Sequence, residues 1–407
     1  MRRYLLILVA LVAGCTESNL ELGAPATFVR SFNGGANDEA QMVQETPDKG
    51  FIILGTTEFF DAANSTTYYK IKLIKTDEFG NTEWQKSYPP YPFDAASPPQ
   101  SWRGSAVHII KDGAGAVSGY AIVGDSVEQG KTIDLAGSGM LVMTTDALGV
   151  QTQSTVINHS SSILGKAITQ GANGNLLVLG TSTTSLTENM LLSELAISDL
   201  STVWTRPYGN GQTVLANKLF TSSQSSIFWS GSVDYNNNSD IRLVKTFPDE
   251  AGTEFDLQIG DPILNETGND ICRYGAGFAV IGTTTTTAGD NDIQFTLIND
   301  DGNILSQERY GVENQDDFGY SICGTQDGGV VMIGAIETAD GKDYYLIKIN
   351  AFGDETFPAI AFGSRNDDVA ASIIQASDGG YVILGTTIMG GLQTIMLMKT
   401  NLEGKIE

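Results

Sequence analysis

The stretch SDGGYVILGTT (Ser377–Thr387) joins a tight turn, Asp378-Gly379-Gly380, to an apolar run that ends in glycine and two threonines. It recurs as PDKGFIILGTT (Pro47–Thr57), SGYAIVG (Ser118–Gly124), NGNLLVLGT (Asn173–Thr181), SSIFWSG (Ser225–Gly231), GAGFAVIGT (Gly275–Thr283) and DGGVVMIG (Asp327–Gly334). The closing glycines are Gly55, Gly124, Gly180, Gly231, Gly282, Gly334 and Gly385, spaced by 69, 56, 51, 51, 52 and 51 residues. A fixed period of this size belongs to solenoids, propellers and arrays.

The sixth repeat defines the unit. Phe318–Gln326 reads as a strand of small and apolar residues, and Asp327-Gly328-Gly329 as a turn whose glycines accept positive φ. Val330–Ile336 is nearly all apolar, as a strand covered on both faces should be. Turns at 339–342 and 351–354 then set off a third strand, Asp343–Asn350, and a fourth, Thr356–Phe362. Four antiparallel strands with short turns make one blade, and blades with two apolar faces must stack to bury them. The expectation is an all-β, seven-bladed β-propeller of four-stranded antiparallel blades.

The last repeat is short by one strand. In the first repeat Trp84 stands four residues before Tyr88, and in the third Trp204 stands four before Tyr208. The seventh stops at Gly404-Lys405-Ile406-Glu407, just before that tryptophan position. At the other end, Phe28-Val29-Arg30-Ser31-Phe32 has the same aromatic spacing and precedes Asn33-Gly34-Gly35. The N-terminal strand is therefore expected to complete the last blade.

Residues 1–14 read as an export signal, with Arg2 and Arg3 before the apolar run Leu5–Val12. That run is far shorter than the roughly 20 residues of a spanning helix. Val12-Ala13-Gly14-Cys15 has the form of a lipobox, so Cys15 is expected to carry acyl chains as the first mature residue. Residues 15–26 form the lipidated tether and 27–407 the folded body. The chain carries a formal net charge of −25, and loss of Arg2 and Arg3 leaves −27. Such a surface repels nucleic acid and anionic headgroups. Beyond Cys15 only Cys272 and Cys323 remain, in neighbouring repeats but one residue out of register, and whether they pair is open.

The pattern ND–strand–DGG–strand–G–strand–G–W resembles the seven-bladed propeller lipoproteins of Gram-negative outer membranes. The likeness runs from Phe28 to the C-terminus, strongest in the first, sixth and seventh repeats and faint in the second and fourth. It implies the propeller fold and a lipid-anchored outer-membrane location, at the cell surface or facing the periplasm. It does not imply a reaction, since propellers host binding, scaffolding and catalysis alike.

Catalytic signatures are sparse. His108 and His159 are the two histidines, and no nucleophile elbow, metalloprotease helix or phosphate loop appears. Trp84 and Trp204 mark only two fourth strands, against the regular tryptophan docking of quinoprotein propellers. Among 48 acidic residues no glycosidase-like pair stands out. One constellation does: 17 residues before Gly55, Gly334 and Gly385 lie Asp38, Asp317 and Asp368, and the same count in the fifth repeat gives Asn265. In the third and fourth repeats the position holds Ile163 and Val214. Repeats five, six, seven and one are consecutive in a closed ring, so these groups form an arc on one rim. They read as turn caps, or as hard oxygen ligands for calcium at Asp38, Asp317 and Asp368.

The longest spacing comes from the connection at 88–105, which holds five of the eleven prolines. It carries Tyr91, Phe93, Trp102 and Arg103, residue types that often anchor interfaces, on a backbone stiffened by proline. The expected function is a non-enzymatic, membrane-anchored interaction module serving an outer-membrane protein complex in assembly, secretion or nutrient uptake. The rival is a glycan-binding or carbohydrate-active propeller. No cofactor other than calcium is implied.

Overall fold

The structure is a computed structural model that describes residues 26–62, 65–89, 100–128, 138–157, 162–183, 188–209, 212–221, 227–235, 238–246 and 253–406. Cys15, His159, Tyr91 and Phe93 lie outside the described residues. Seven four-stranded sheets follow one another along the chain, every pairing antiparallel between sequence neighbours except one. In blade one the strands are Asp38–Glu45, Phe51–Asp61, Thr66–Thr76 and Thr82–Tyr88, from the axis outward. The exception is blade seven, where Val369–Gln375, Tyr381–Met389 and Leu392–Lys399 are completed by Phe28–Phe32. Phe28 lies opposite Lys399 and Phe32 opposite Ile395.

The closing strand is held by packing as well as by its ladder. Phe28 and Phe32 are buried in a cluster with Phe51, Ile53, Val382, Leu384 and Leu397, which joins blade seven to blade one. Gly80, at φ 75°, leaves room for the Phe28 ring, which would stand 2.7 Å from a Cβ placed there. Similar apolar clusters fill the other seams.

The repeat motif has a mechanical reading at each end of the blade. A Cβ on Gly55 would come within 2.5 Å of Ile395 Cδ1 in the neighbouring blade, so the closing glycine admits the adjacent sheet. The threonine after it then bridges the seam. Thr56 Oγ1 accepts the Gly104 N–H at 3.2 Å, Thr181 that of Ala216 at 2.9 Å, Thr283 that of Gly319 at 3.3 Å and Thr386 that of Ala40 at 2.9 Å. At the far end, the turn aspartates are held by third-strand lysines. Lys75 meets Asp48 at 2.9 Å, Lys348 meets Asp327 at 2.9 Å, and Lys399 meets Asp378 at 2.6 Å.

Three expectations are corrected. The outermost strand of blade six is only Ile360–Phe362, with a lone bridge from Ile349 to Glu355. Pro358 has no N–H for the ladder, so regular pairing starts beyond it. The neighbouring strands of that blade are Asp317–Gly324, Val330–Thr338 and Gly341–Ile349, so the turn expected at 339–342 is tighter. Finally, the connection between blades one and two does not extend to residue 105. Gln100–Lys111 and Val117–Glu128 form a lengthened hairpin, and Trp102 and Arg103 belong to its first strand.

Strand direction gives the ring two distinct faces. The crossovers between blades and the hairpins between second and third strands lie on one, here the crossover face. The turns between first and second and between third and fourth strands lie on the other, the turn face.

Candidate functional site

Each innermost strand carries one extra residue at the same height, a β-bulge that re-aims a side chain. The register shifts fall at Gln41, Ser105, Lys166, Asn217, Asn269, Tyr320 and Ala371, one per blade. All of these line a cavity of about 150 Å3 at the axis, together with residues that include Met42, Lys218, Asp270 and Ser372. Four of its polar side chains are engaged in holding the blades together. The Asn217 and Asn269 amides donate to the Gly268 and Gly319 carbonyls of the next blade at 2.8 and 2.6 Å. Asp270 meets Lys218 at 3.3 Å and accepts from Ser321 Oγ at 2.7 Å.

The pairing register also fixes what the aspartate arc is. Asp38 lies opposite Thr57 and Asp317 opposite Ile336, each two residues beyond its repeat glycine. The same register position holds Trp102 in blade two, Ile163 in blade three, Val214 in blade four and Glu266 in blade five. Asp368 directly precedes the first paired residue of blade seven. All seven side chains are buried. Counting back 17 residues reached Asn265 because the fifth hairpin is one residue shorter between its bulge and its glycine. The position therefore faces inward in every blade, as a carboxylate in four and an apolar group in three.

The carboxylates hold the crossover that leads into their own strand. Asp38 Oδ2 accepts the Gly34 N–H at 3.1 Å, Asp317 Oδ2 that of Val312 at 2.6 Å, and Asp368 Oδ2 that of Ser364. Glu266 Oε1 accepts the Asp261 N–H at 3.2 Å and the Thr284 hydroxyl at 3.3 Å. These are the geometries of caps. Calcium needs six to eight oxygens gathered around one point. Among the described residues no three histidine, cysteine or acidic groups come together to hold a metal, and the arc aspartates sit in separate blades.

Charge environments along the arc differ. Lys72 Nζ reaches Asp38 Oδ2 at 2.6 Å in a pair only 2% and 0% exposed. Asp317 lacks such a cation: burial pushes its pKa up to about 6, Asp292, Asp316 and Asp290 add to the rise, and the Val312 N–H opposes it. Burial also pushes up Glu266. Asp125 stands where other blades have the seam threonine, and its Oδ1 accepts the Gly165 N–H at 2.8 Å. Burial raises its pKa to about 6, against the pull of Lys166, that N–H and Arg103. His108 sits in the innermost strand of blade two, where burial, with Lys111 adding to it, pushes its pKa down to about 4.

The aromatic group of the long connection is split. Trp102 is 8% exposed and packs in the core between blades one and two, because its register position is the inward one of Asp38. It is a core residue, not an exposed anchor. Arg103, half-buried, places its guanidinium 3.8 Å from the centre of the Tyr69 ring and lies across from Asp125. Cys272 and Cys323 are both free thiols, packed in different clusters. Asp125, Glu266 and the seam threonines were missed in the sequence, although the threonines were visible as the GTT ending of the repeat.

No protein-family model matches the chain, and no curated protein matches it in sequence. Among solved structures, a puromycin hydrolase is similar at 10% identity and a TM-score of 0.52, over 86% of this chain and 50% of the hydrolase. The chain thus spans about half the length of that enzyme. A Dyadobacter fermentans protein of unknown function is similar at 12% identity and a TM-score of 0.49, over 74% of this chain and 95% of its own. A Pyrococcus horikoshii acylaminoacyl peptidase gives 9% and 0.49, over 88% and 51%. At such identity the likeness to the hydrolase bears on fold alone.

Proposed function

We propose that the chain is a non-enzymatic interaction module, a lipoprotein anchored through Cys15 that serves as an accessory subunit of an outer-membrane protein complex. One observation supports this reading above the others: the point where the chain enters the ring and the two ends of the long connection lie on opposite faces. Phe28 pairs with Lys399, so the chain enters the ring at the turn face. Tyr88 and Gln100, the two ends of the connection, lie at the crossover face. Exposed Phe60 of blade one and Ile388 and Met389 of blade seven lie on that same face. With Tyr91 and Phe93 they supply aromatic and apolar anchors of the kind that dominate interface energies. The arc carboxylates each give an oxygen to their own crossover, which fits a scaffold role better than acid–base work.

The test is a photo-cross-linking residue placed at Tyr91 or Phe60 in the full-length lipoprotein, with cell envelopes isolated in mild detergent. An outer-membrane barrel should be captured from these sites, through the part of it that extends beyond the bilayer, and not from one on the turn face. Equal capture from both faces, or specific glycan binding on an array with no barrel captured, overturns the reading. Protease access in intact cells then separates the cell surface from the periplasmic leaflet.

A further inference from the structure

The turn face carries an unusual set of side chains at its outer edge. In the turns between third and fourth strands, Phe79 of blade one, Leu148 of blade two and Phe352 of blade six each stand just before the turn glycine. Leu402 of blade seven lies in the same turn, one position earlier. All four are exposed, Phe352 to 90%. In blade three the turn leucine, Leu200, is buried at 3%, and blade five has Asp300 and Asp301 there. Among the described turns the exposed tips therefore occupy blades six, seven, one and two, which are consecutive in the ring; the matching turn of blade four, 247–252, lies outside the described residues.

That arc is centred on the place where the chain enters. Phe28 begins the outermost strand of blade seven at the turn face, between the tips of blades six and one. From Cys15 to Phe28 the contour is short, at most about 45 Å at roughly 3.3–3.6 Å per residue. An acyl group at Cys15 would draw this face, where the chain enters, toward a bilayer ahead of the crossover face.

We infer that the turn-face arc of Phe79, Leu148, Phe352 and Leu402 rests on the lipid surface, its four apolar tips entering the boundary between headgroups and acyl chains. This rests on Cys15 being the anchor. The occupant is lipid rather than protein because the tips are single side chains on the separate turns of four blades. A fluid plane accommodates such points, while a protein partner would need a matching socket for each. Acidic groups beside the tips, namely Asp77, Glu78, Asp146, Asp354, Glu355 and Glu403, restrict the surface to one of low negative charge. The crossover face with its long connection then points away from the membrane.

The experiment uses the full lipidated chain in phosphatidylcholine vesicles containing brominated lipid, with a tryptophan reporter on each face in turn. Phe352→Trp reports on the turn face and Met389→Trp on the crossover face; both residues are exposed, and the four native tryptophans are common to both variants. Bromine should quench the added emission of Phe352→Trp at least threefold more than that of Met389→Trp. Phosphatidylglycerol should reduce that quenching. Equal quenching, or more at Met389→Trp, overturns the inference, and insensitivity to phosphatidylglycerol overturns its lipid selectivity. Failure of the anchor reading is seen separately: Cys15→Ala should release the protein from membranes, and retention would remove the premise itself.

Discussion

Blades one and six place an aspartate at the same register and the same depth, yet they solve its charge differently. Asp38 is neutralised by Lys72, which stands across from the repeat glycine Gly55. In blade six the residue across from Gly334 is Tyr345, and Asp317 is left among other acids. The repeat dictates where the carboxylate sits and which N–H it accepts. It does not dictate whether that carboxylate is comfortable as an anion, because the compensating charge comes from a strand that varies between blades.

The largest effect should come from removing Phe28–Phe32, which takes away the strand leading to the Asp38 crossover and leaves the blade-six crossover untouched. Two buried phenylalanines contribute about 3–6 kcal/mol between them, and each lost ladder bond adds about 1 kcal/mol. A truncated chain with an unchanged denaturant midpoint would break the closure model. Next, Lys72→Met should cost about 3–5 kcal/mol near neutral pH, since it strands a buried anion. Adding Asp38→Asn should restore much of this, and an Asp38→Asn/Lys72→Met chain no more stable than Lys72→Met would refute the pairing as the cause.

Two smaller effects have opposite signs within blade six. The Asp317 pKa is raised to about 6 from an ordinary 3.8, so its protonated form favours the fold. Stability from this group is present below about pH 4 and is lost as pH rises toward 6. Asp317→Asn should therefore gain melting temperature relative to the native chain between pH 4 and pH 7; a constant difference would contradict the shift. At the other end of the hairpin, burial alone would raise Asp327, but Lys348, Thr325 and the Gly329 N–H hold it down to about 2. Its contribution is present above about pH 4 and fades as pH falls toward 2. Asp327→Asn should be more damaging at pH 7 than at pH 2.5, and the reverse order would be decisive against the lysine clasp. Smallest of all is calcium. Chelation should leave the melting temperature where it was, and a rise of several degrees on adding calcium would turn the caps into a metal site.

Much of the ring was legible because its signals are local. Glycine-rich turns and apolar runs appear within a dozen residues of one another, and once they had set the repeat, the strand missing from its last copy could be sought at the far end of the chain. The aspartate position was found by counting from Gly55, Gly334 and Gly385, and the count failed where a hairpin changed length. Glu266 was hidden by one absent residue, and Trp102 by a proline-rich prelude that reads as loop. Both depend on which residue pairs with which across two strands, a property composition does not carry. Asp125 was obscure for a related reason: only the seam geometry gives it the place of a threonine.

The closing strand also sets the timetable of synthesis. Of the described strands, Phe28–Phe32 is the first made and its partner, Leu392–Lys399, is the last. A chain delivered N-terminus first carries two unmatched phenylalanines and an open strand edge until nearly every residue has arrived. Blades one to six can assemble in that interval, but the circle cannot. The waiting edge is the same template that promotes wrong pairings between copies. Any halt in delivery before residue 392 therefore yields an open arc with two sticky ends, rather than a smaller ring.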